Sequence, residues 1–311
     1  MDYIVIPTIR EKNIHDFLKG WEELQGKCEF IIVEDNPTKT FELPVQHHYS
    51  WAEIDDALGE DSWIISRRDS AIRSYGFMVA YQLGADHIFS LDDDCLPTAG
   101  ESFYEKHLDK LNHTPAWSSL IHGHRTRGIP YKNQGTLNNI VLNVGLWTGV
   151  PDYDGVQTLA NGIPDDFVPP DLDYILPRSQ YFPICGMNIC FKRELAPLGY
   201  VPLMGQHSPF GRFDDIWYGI IAKKICDHLG LLISAGHPFI HHTRASDAFN
   251  NLVKEAPGIR LNETFWQVID GIQLKETTPL GCMREVGAAL IEMEDYYKTL
   301  GHAITAWCRY F

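Results

Sequence analysis

Three adjacent carboxylates, Asp92-Asp93-Asp94, close an apolar run from His87 to Leu91, and this junction constrains the chain more than any other feature. The run reads as a buried strand. Acids packed side by side at its end repel one another and lose solvation unless a cation or hydrogen-bond donors compensate them. The Asp-x-Asp spacing of Asp92 and Asp94 suits one hard divalent ion shared with substrate phosphates, as magnesium or manganese is held. An acidic turn at a strand end is the alternative reading.

The residues before this junction alternate between two periodicities. Residues 2–8 form an apolar strand ending at Pro7-Thr8. Ile14, Phe17, Leu18 and Trp21 then recur at i, i+3, i+4 and i+7, the stripe of an amphipathic helix. A second strand, Glu29 to Val33, runs into the turn Glu34-Asp35-Asn36-Pro37. Ser50 is placed to cap a helix through Leu58. A third strand, Trp63 to Ile65, precedes Arg67-Arg68-Asp69-Ser70, where Asp69 is placed to cap a helix to Leu83, with Gly84 just past its end.

Such alternation predicts an α/β fold with a mostly parallel sheet and ligands at the carboxyl ends of its strands. Residues Pro7 to Arg10, Glu34-Asp35, Arg67 to Arg73 and Asp92 to Asp94 all fall at those ends. Residues 98–182 read as loops and antiparallel strands. Helix Gly211 to Leu229 and strand Leu231 to Ser234 follow, and Glu263 to Ile272 and Arg284 to Trp307 read as a C-terminal helical appendage. The expected division is 1–262, with a break at 97/98, and a helical extension, 263–311.

Composition narrows the function classes. The 311 residues carry 26 basic and 41 acidic side chains, a formal charge of −15. Broad electrostatic binding to nucleic acid needs the opposite sign. No stretch reaches the roughly 18 apolar residues of a membrane span, and the N-terminus lacks the pattern of a signal peptide. The seven cysteines, scattered and without a C-x-x-C pair, point away from a disulfide framework and toward a reducing cytoplasm.

Strand, helix, strand, helix, strand and Asp-x-Asp resembles the plan of a GT-A glycosyltransferase, which implies a Rossmann-like nucleotide-binding half, 1–97, and a sugar or acceptor half, 98–262. Asp2-Tyr3-Ile4-Val5-Ile6-Pro7-Thr8-Ile9-Arg10, Asp69-Ser70-Ala71-Ile72-Arg73 and Asp92-Asp93-Asp94-Cys95 further resemble the reversibly glycosylated polypeptides, the family of UDP-arabinopyranose mutases. The same register continues through Gly145-Leu146-Trp147, Val150-Pro151-Asp152-Tyr153-Asp154, Cys185-Gly186-Met187-Asn188, Gly211-Arg212-Phe213-Asp214-Asp215-Ile216-Trp217, Ile225-Cys226-Asp227-His228-Leu229-Gly230 and Ala245-Ser246. The resemblance covers about residues 2–262.

It implies a manganese- or magnesium-dependent enzyme acting on a UDP-sugar, UDP-arabinose foremost, that interconverts pyranose and furanose forms and becomes reversibly glycosylated on an arginine. The stretch Arg127-Gly128-Ile129-Pro130 matches the family's Arg-Gly-aromatic-Pro, making Arg127 the expected acceptor, with Arg125 as the rival. Transfer to an external glycan, protein or modified nucleobase is the competing activity, and a UDP-sugar-binding scaffold is a third possibility. A homo-oligomer stays open.

Within that frame Asp92 and Asp94 are the expected metal ligands, joined by His242 after a strand, unless His242 is a solvated or capping residue. Asp93 faces the ribose or supports the loop. Arg10, Arg68 and Arg73 match phosphate oxygens or pair with acids, and Arg73 is also placed to position Asp92 or Asp94. Pro7, Thr8 and Asp69 line the nucleotide side, and Glu34 and Asp35 accept from uracil or ribose or form a polar turn. Gly186 and Asn188 let backbone approach the sugar, or Gly186 serves a turn. Asp214 and Asp215 open a helix, where capping and the dipole favour carboxylates, and they also face the sugar as base or hydroxyl ligands.

Overall fold

The computed structural model describes residues 1–119, 124–164, 166–243 and 247–311, His207 by its backbone alone. Strands β1 (Asp2–Thr8), β2 (Cys28–Glu34), β3 (His47–Tyr49) and β4 (His87–Leu91) lie side by side in the order β3-β2-β1-β4, all parallel. Helices α1 (Glu11–Gly20), α2 (Trp51–Leu58) and α3 (Arg73–Gln82) connect them. Ser50 and Glu53 form a reciprocal capping box at α2, and Asp69 caps a short 3₁₀ turn that leads into α3.

Beyond β4 the sheet becomes mixed. Short β5 (Cys95–Pro97) and helix α4 (Phe103–His113) precede β6 (Ile140–Gly149), α5 (Gly155–Asn161), β7 (Tyr174–Ile175) and β8 (Asn188–Lys192). Helix α6 (Asp214–Leu229) leads to the long strand β9 (Leu232–His242). β8 runs antiparallel between β4 and β6, β6 pairs parallel with β9, and β5 and β7 add antiparallel to β9.

Residues alternate between two apolar cores across this sheet. Tyr3 and Val5 of β1 pack with α3, whereas Ile4 and Ile6 face Phe17, Trp21 and Phe103 on the other side. Burial of both faces explains why the strands are continuously apolar. Helices α7 (Ala248–Gly271), α8 (Pro279–Ile291) and α9 (Asp295–Trp307) complete the chain.

Four expectations are corrected here. The strand expected at Trp63–Ile65 is instead the end of a 3₁₀ helix, Gly59–Ile64; Tyr200 Oη donates to the Ile64 carbonyl at 2.8 Å, taking an acceptor that a strand ladder would use. Residues 103–113 are helical because Phe103, His107 and Leu111 recur at i, i+4 and i+8 and are buried. The 284–307 helix is two helices: a Cβ on Gly301 would lie 2.6 Å from Ile291 N, so α8 and α9 fold back on each other at glycines. Finally, the C-terminal helices share the main core, where Phe265, Val286, Leu290, Ile304 and Trp307 join α3 and α6 residues, and the 262/263 boundary falls inside α7.

Trp307 is fully buried against Tyr200 and Phe311, with its indole donating to Pro197 O at 2.8 Å. Trp307→Ala is expected to lower stability by about 3–5 kcal/mol in one cooperative urea transition seen by both circular dichroism and fluorescence. Separate melting of the C-terminal helices would contradict a shared core.

Candidate functional site

The order β3-β2-β1-β4 places a topological switch point between β1 and β4, the crevice where open α/β sheets bind ligands. A cavity of about 620 Å³ opens there, lined by Pro7, Thr8, Arg10, Asp35, Trp51, Arg68, Asp69, Asp92 and Asp93 among others. At its floor Thr8 Oγ1 donates to Asp93 Oδ2 at 2.5 Å, and Arg10 pairs with Asp93 and reaches Asp94 Oδ2 at 3.1 Å. Arg10 Nη1 is buried without a hydrogen-bond partner among the described residues. A buried donor left over in this way is a ready contact for an anion.

The turn after β2 is built by Glu34. Its carboxylate, fully buried, accepts from Thr40 N and Oγ1, Asn36 Nδ2 and His48 Nε2. Burial raises its pKa, but these hydrogen bonds outweigh that and hold it below the ordinary range. Glu34 therefore shapes the loop and is not among the residues lining the cavity. Asp35 does line it, held by Trp51 Nε1 at 2.8 Å and Asp69 N at 2.9 Å, with burial pushing its carboxyl upward.

Arg73 lies at the start of α3, almost wholly buried, and explains the position of the acids after β4. Nη2 donates to Asp92 Oδ1 at 2.6 Å, Nη1 to Ser90 Oγ at 2.8 Å and to Gly186 O at 2.5 Å, and Nε to Ser70 O at 3.0 Å. A Cβ on Gly186 would sit 2.8 Å from Nη1, so only glycine lets this backbone approach the guanidinium.

The residues present fit a divalent ion in part. His242 Nδ1 lies 2.7 Å from the Val150 carbonyl, which can only accept, so Nδ1 carries a proton and Nε2 is the nitrogen left to face a ligand. Nε2 faces Asp94 Oδ1 at 3.9 Å, too far for a hydrogen bond and a gap that two ligand bonds of about 2.1 Å can span. Asp92 is turned toward Arg73, and among the described residues no three His, Cys, Asp or Glu side chains close a metal cluster. Asp94 and His242 thus supply two donors that need further oxygens from a ligand.

A second cavity of about 750 Å³ shares Arg68, Asp69, Ser70 and Asp92 with the first and extends past Trp147, Asp152, Cys185, Arg212, Asp214, Asp215 and Glu255. Asp214 accepts from Ser70 Oγ at 2.6 Å, and Asp215 from Gly186 N at 3.0 Å. Burial, then Asp214 and Asp152, push the Asp215 carboxyl up to about 8. Arg212 Nε donates to the buried Glu255 at 2.8 Å, and Glu255 also accepts from Gly155 N. The Trp147 indole nitrogen is buried without a partner among the described residues.

Most expected residues meet at these two cavities. Asn188 does not: it is fully buried, with its amide spent on His107, Leu146 O and Pro238 O, and it anchors β8. Arg127 is exposed on the loop after α4 and is not among the lining residues, while Arg125 lies over Tyr131, 4.9 Å from the ring centre. Ile121-His122-Gly123, Arg244 and the Ala245-Ser246 block lie outside the described residues. Sequence reasoning missed Trp51, Asp152, Arg212 and Glu255 as site residues. Asp152 and Arg212 stand inside the matched blocks; Glu255 carries no local signal, because its partners are 43 and 100 residues away.

Comparison with known proteins agrees with these matched blocks. Residues 1–311 match the family model described as reversibly glycosylated polypeptide. UDP-arabinopyranose mutase 1 of Arabidopsis thaliana is 35% identical over 328 residues, covering 98% of this chain and 90% of that protein. UDP-arabinopyranose mutase 3 of the same plant is 35% identical over 329 residues, 98% and 89% of the two chains. The probable UDP-arabinopyranose mutase 1 of Solanum tuberosum is 35% identical over 333 residues, 98% and 88%.

The raised Asp215 carboxyl has a stability consequence. Between the ordinary carboxylate range and about pH 8 the folded chain holds a proton that the unfolded chain has released, so stability falls as pH rises through that window. Asp215→Asn is expected to flatten the decline in melting temperature between pH 5 and 8. An unchanged slope would show that Asp215 is ionised in the fold.

Proposed function

The chain belongs to the reversibly glycosylated polypeptide family, and from that membership and the two-part cleft we propose that it is an enzyme interconverting the pyranose and furanose forms of UDP-arabinose. The observation that carries this reading is the pair of adjoining cavities, one holding an unsatisfied buried arginine nitrogen and the other lined by paired carboxylates. In this reading the cleft works as a GT-A-type Asp-x-Asp site. Uridine occupies the crevice beside Asp35 and Trp51, the diphosphate meets Arg10 and Arg68, and the pentose extends toward Asp214 and Asp215.

Asp94 and His242, with Asp92 close by, would hold manganese or magnesium. When bound there, such an ion would supply positive charge against the negative charge of departing UDP. Arg10, tied through Asp93 to Thr8, keeps a donor directed at the same anion. Trp51 is held by Asp35 and so offers a fixed wall to the base.

Self-glycosylation on Arg127 is a separate part of the proposal. Its exposure leaves it open to modification, but capture of a sugar from the second cavity would require residues 124–130 to come over the cleft. A guanidinium must also lose a proton before it attacks, against a pKa above about 12. The size of the second cavity gives the transferase reading its one specific support, since an acceptor would need space beside the pentose.

Incubating the protein with UDP-arabinopyranose and manganese, without acceptor, is expected to yield UDP-arabinofuranose on chromatography. Asp94→Asn is expected to lower that rate about 100-fold or more, and peptide mass mapping is expected to find any pentose adduct on Arg127. UDP release only when a glycan or protein acceptor is added would replace the mutase reading with the transferase.

A further inference from the structure

Arg212 lines the second cavity from a left-handed backbone with one side-chain nitrogen already tied down, and we infer that its two terminal nitrogens clamp the O2 and O3 hydroxyls of the pentose through ring exchange. This inference rests on the mutase reading above and deepens it by naming a residue that holds the sugar.

The geometry is specific. Arg212 has a φ of 65°, a conformation that strains a residue with a side chain and persists where its surroundings enforce it. Helix α7 supplies that enforcement. Its Glu255, almost fully buried, accepts from Arg212 Nε and from Gly155 N, each at 2.8 Å. Three residues on, a Cβ at Gly258 would lie 2.6 Å from the Phe213 ring, so only glycine lets the neighbour of Arg212 seat against the helix. Phe213 also stacks on Trp217, with ring centres 5.5 Å apart. Burial pulls the Arg212 pKa down, but the bond to Glu255 and its charge outweigh that and raise it, so the guanidinium stays a cation with donors only.

Among the described residues the Nε bond to Glu255 is the one hydrogen bond of the Arg212 side chain, which leaves Nη1 and Nη2 for a ligand. The other two arginines of this cavity are engaged elsewhere. Arg73 bonds through Nε, Nη1 and Nη2, and Arg68 also lines the nucleotide crevice. Arg212 lines only the second cavity. The partnerless Trp147 indole nitrogen on the same cavity's wall is an independent sign that a polar ligand belongs there.

The reaction selects the hydroxyls that such a fork can hold. A pentopyranose closes its ring through O5 and a pentofuranose through O4, so these two oxygens exchange roles. O2 and O3 stay free hydroxyls on adjacent carbons in both forms. A guanidinium presents its terminal nitrogens in a fixed plane that suits two neighbouring oxygens. Donation to O2 and O3 therefore keeps the sugar in place whichever ring is closed.

The test is calorimetric titration of the full chain, with manganese present, by UDP, by UDP-arabinopyranose and by the UDP-pentose epimeric at C4. Wild type is compared with Arg212→Lys, which keeps the charge beside Glu255 and loses the fork. The variant is expected to bind UDP-arabinopyranose about tenfold more weakly, to lose affinity for the C4 epimer by the same factor, and to bind UDP within about twofold of wild type. In ring exchange the loss is expected in KM, with kcat held within about threefold, because both ring forms use the same contacts. If Arg212→Lys does not fold, Arg212→Gln combined with Glu255→Gln, which removes the buried charge together with its partner, carries the same expectation. Unchanged affinity for UDP-arabinopyranose, an equal loss for UDP, a loss spared by the C4 epimer, or a fall confined to kcat would overturn the clamp. A wild type that shows the expected affinities without ring exchange would overturn the mutase reading and leave the hydroxyl contacts standing.

Discussion

The buried Arg73 guanidinium is the interaction on which the site depends. It carries a full charge out of water, a cost that only close, well-formed partners offset. Those partners come from three places: Ser70 before α3, Ser90 and Asp92 at the end of β4, and the Gly186 carbonyl ahead of β8. Because the charge must be satisfied, the three segments are held together whether or not a ligand is present. The same contact turns Asp92 away from its neighbours and divides the triple acid into separate tasks. Asp92 belongs to Arg73, Asp93 to Thr8 and Arg10, and Asp94 to Arg10 and the His242 side.

The two cavities share Arg68 and Asp69 and differ in what else lines them. The crevice at the switch point offers Arg10 and Arg68 to an anion, within a chain whose formal charge is −15. The second cavity gathers Asp152, Asp214 and Asp215 alongside Arg73 and Arg212, and burial with neighbouring carboxylates pushes the Asp69 and Asp215 carboxyls upward.

Much of this was legible in the sequence because it is local. Alternating apolar strands and an amphipathic helix announced the parallel half, the Ser50 and Asp69 caps stood where structure has them, and strand ends placed Thr8, Arg10, Asp35 and Asp92 to Asp94 together. What escaped depends on distant contacts. Asn188 reads as a ligand-facing polar residue, but its amide is consumed by His107 and by the Leu146 and Pro238 carbonyls, contacts that no spacing discloses, whereas Glu34 forms the polar turn that was its other reading. Helix α4 hid because its buried face includes His107, a polar residue whose two ring nitrogens are satisfied by Asn188 and Asn143. The C-terminal helices looked like an addition, since nothing in their own periodicity indicates that Trp307 packs beneath Tyr200.

A crystal structure of the chain with UDP-arabinopyranose and manganese tests the two-chamber site most directly. The expected density puts uracil beside Asp35 and Trp51, the diphosphate between Arg10 and the Asp94–His242 pair, and the pentose within hydrogen-bond distance of Asp214 and Asp215. Nucleotide bound elsewhere, or a pentose directed away from the acidic cavity, would contradict it.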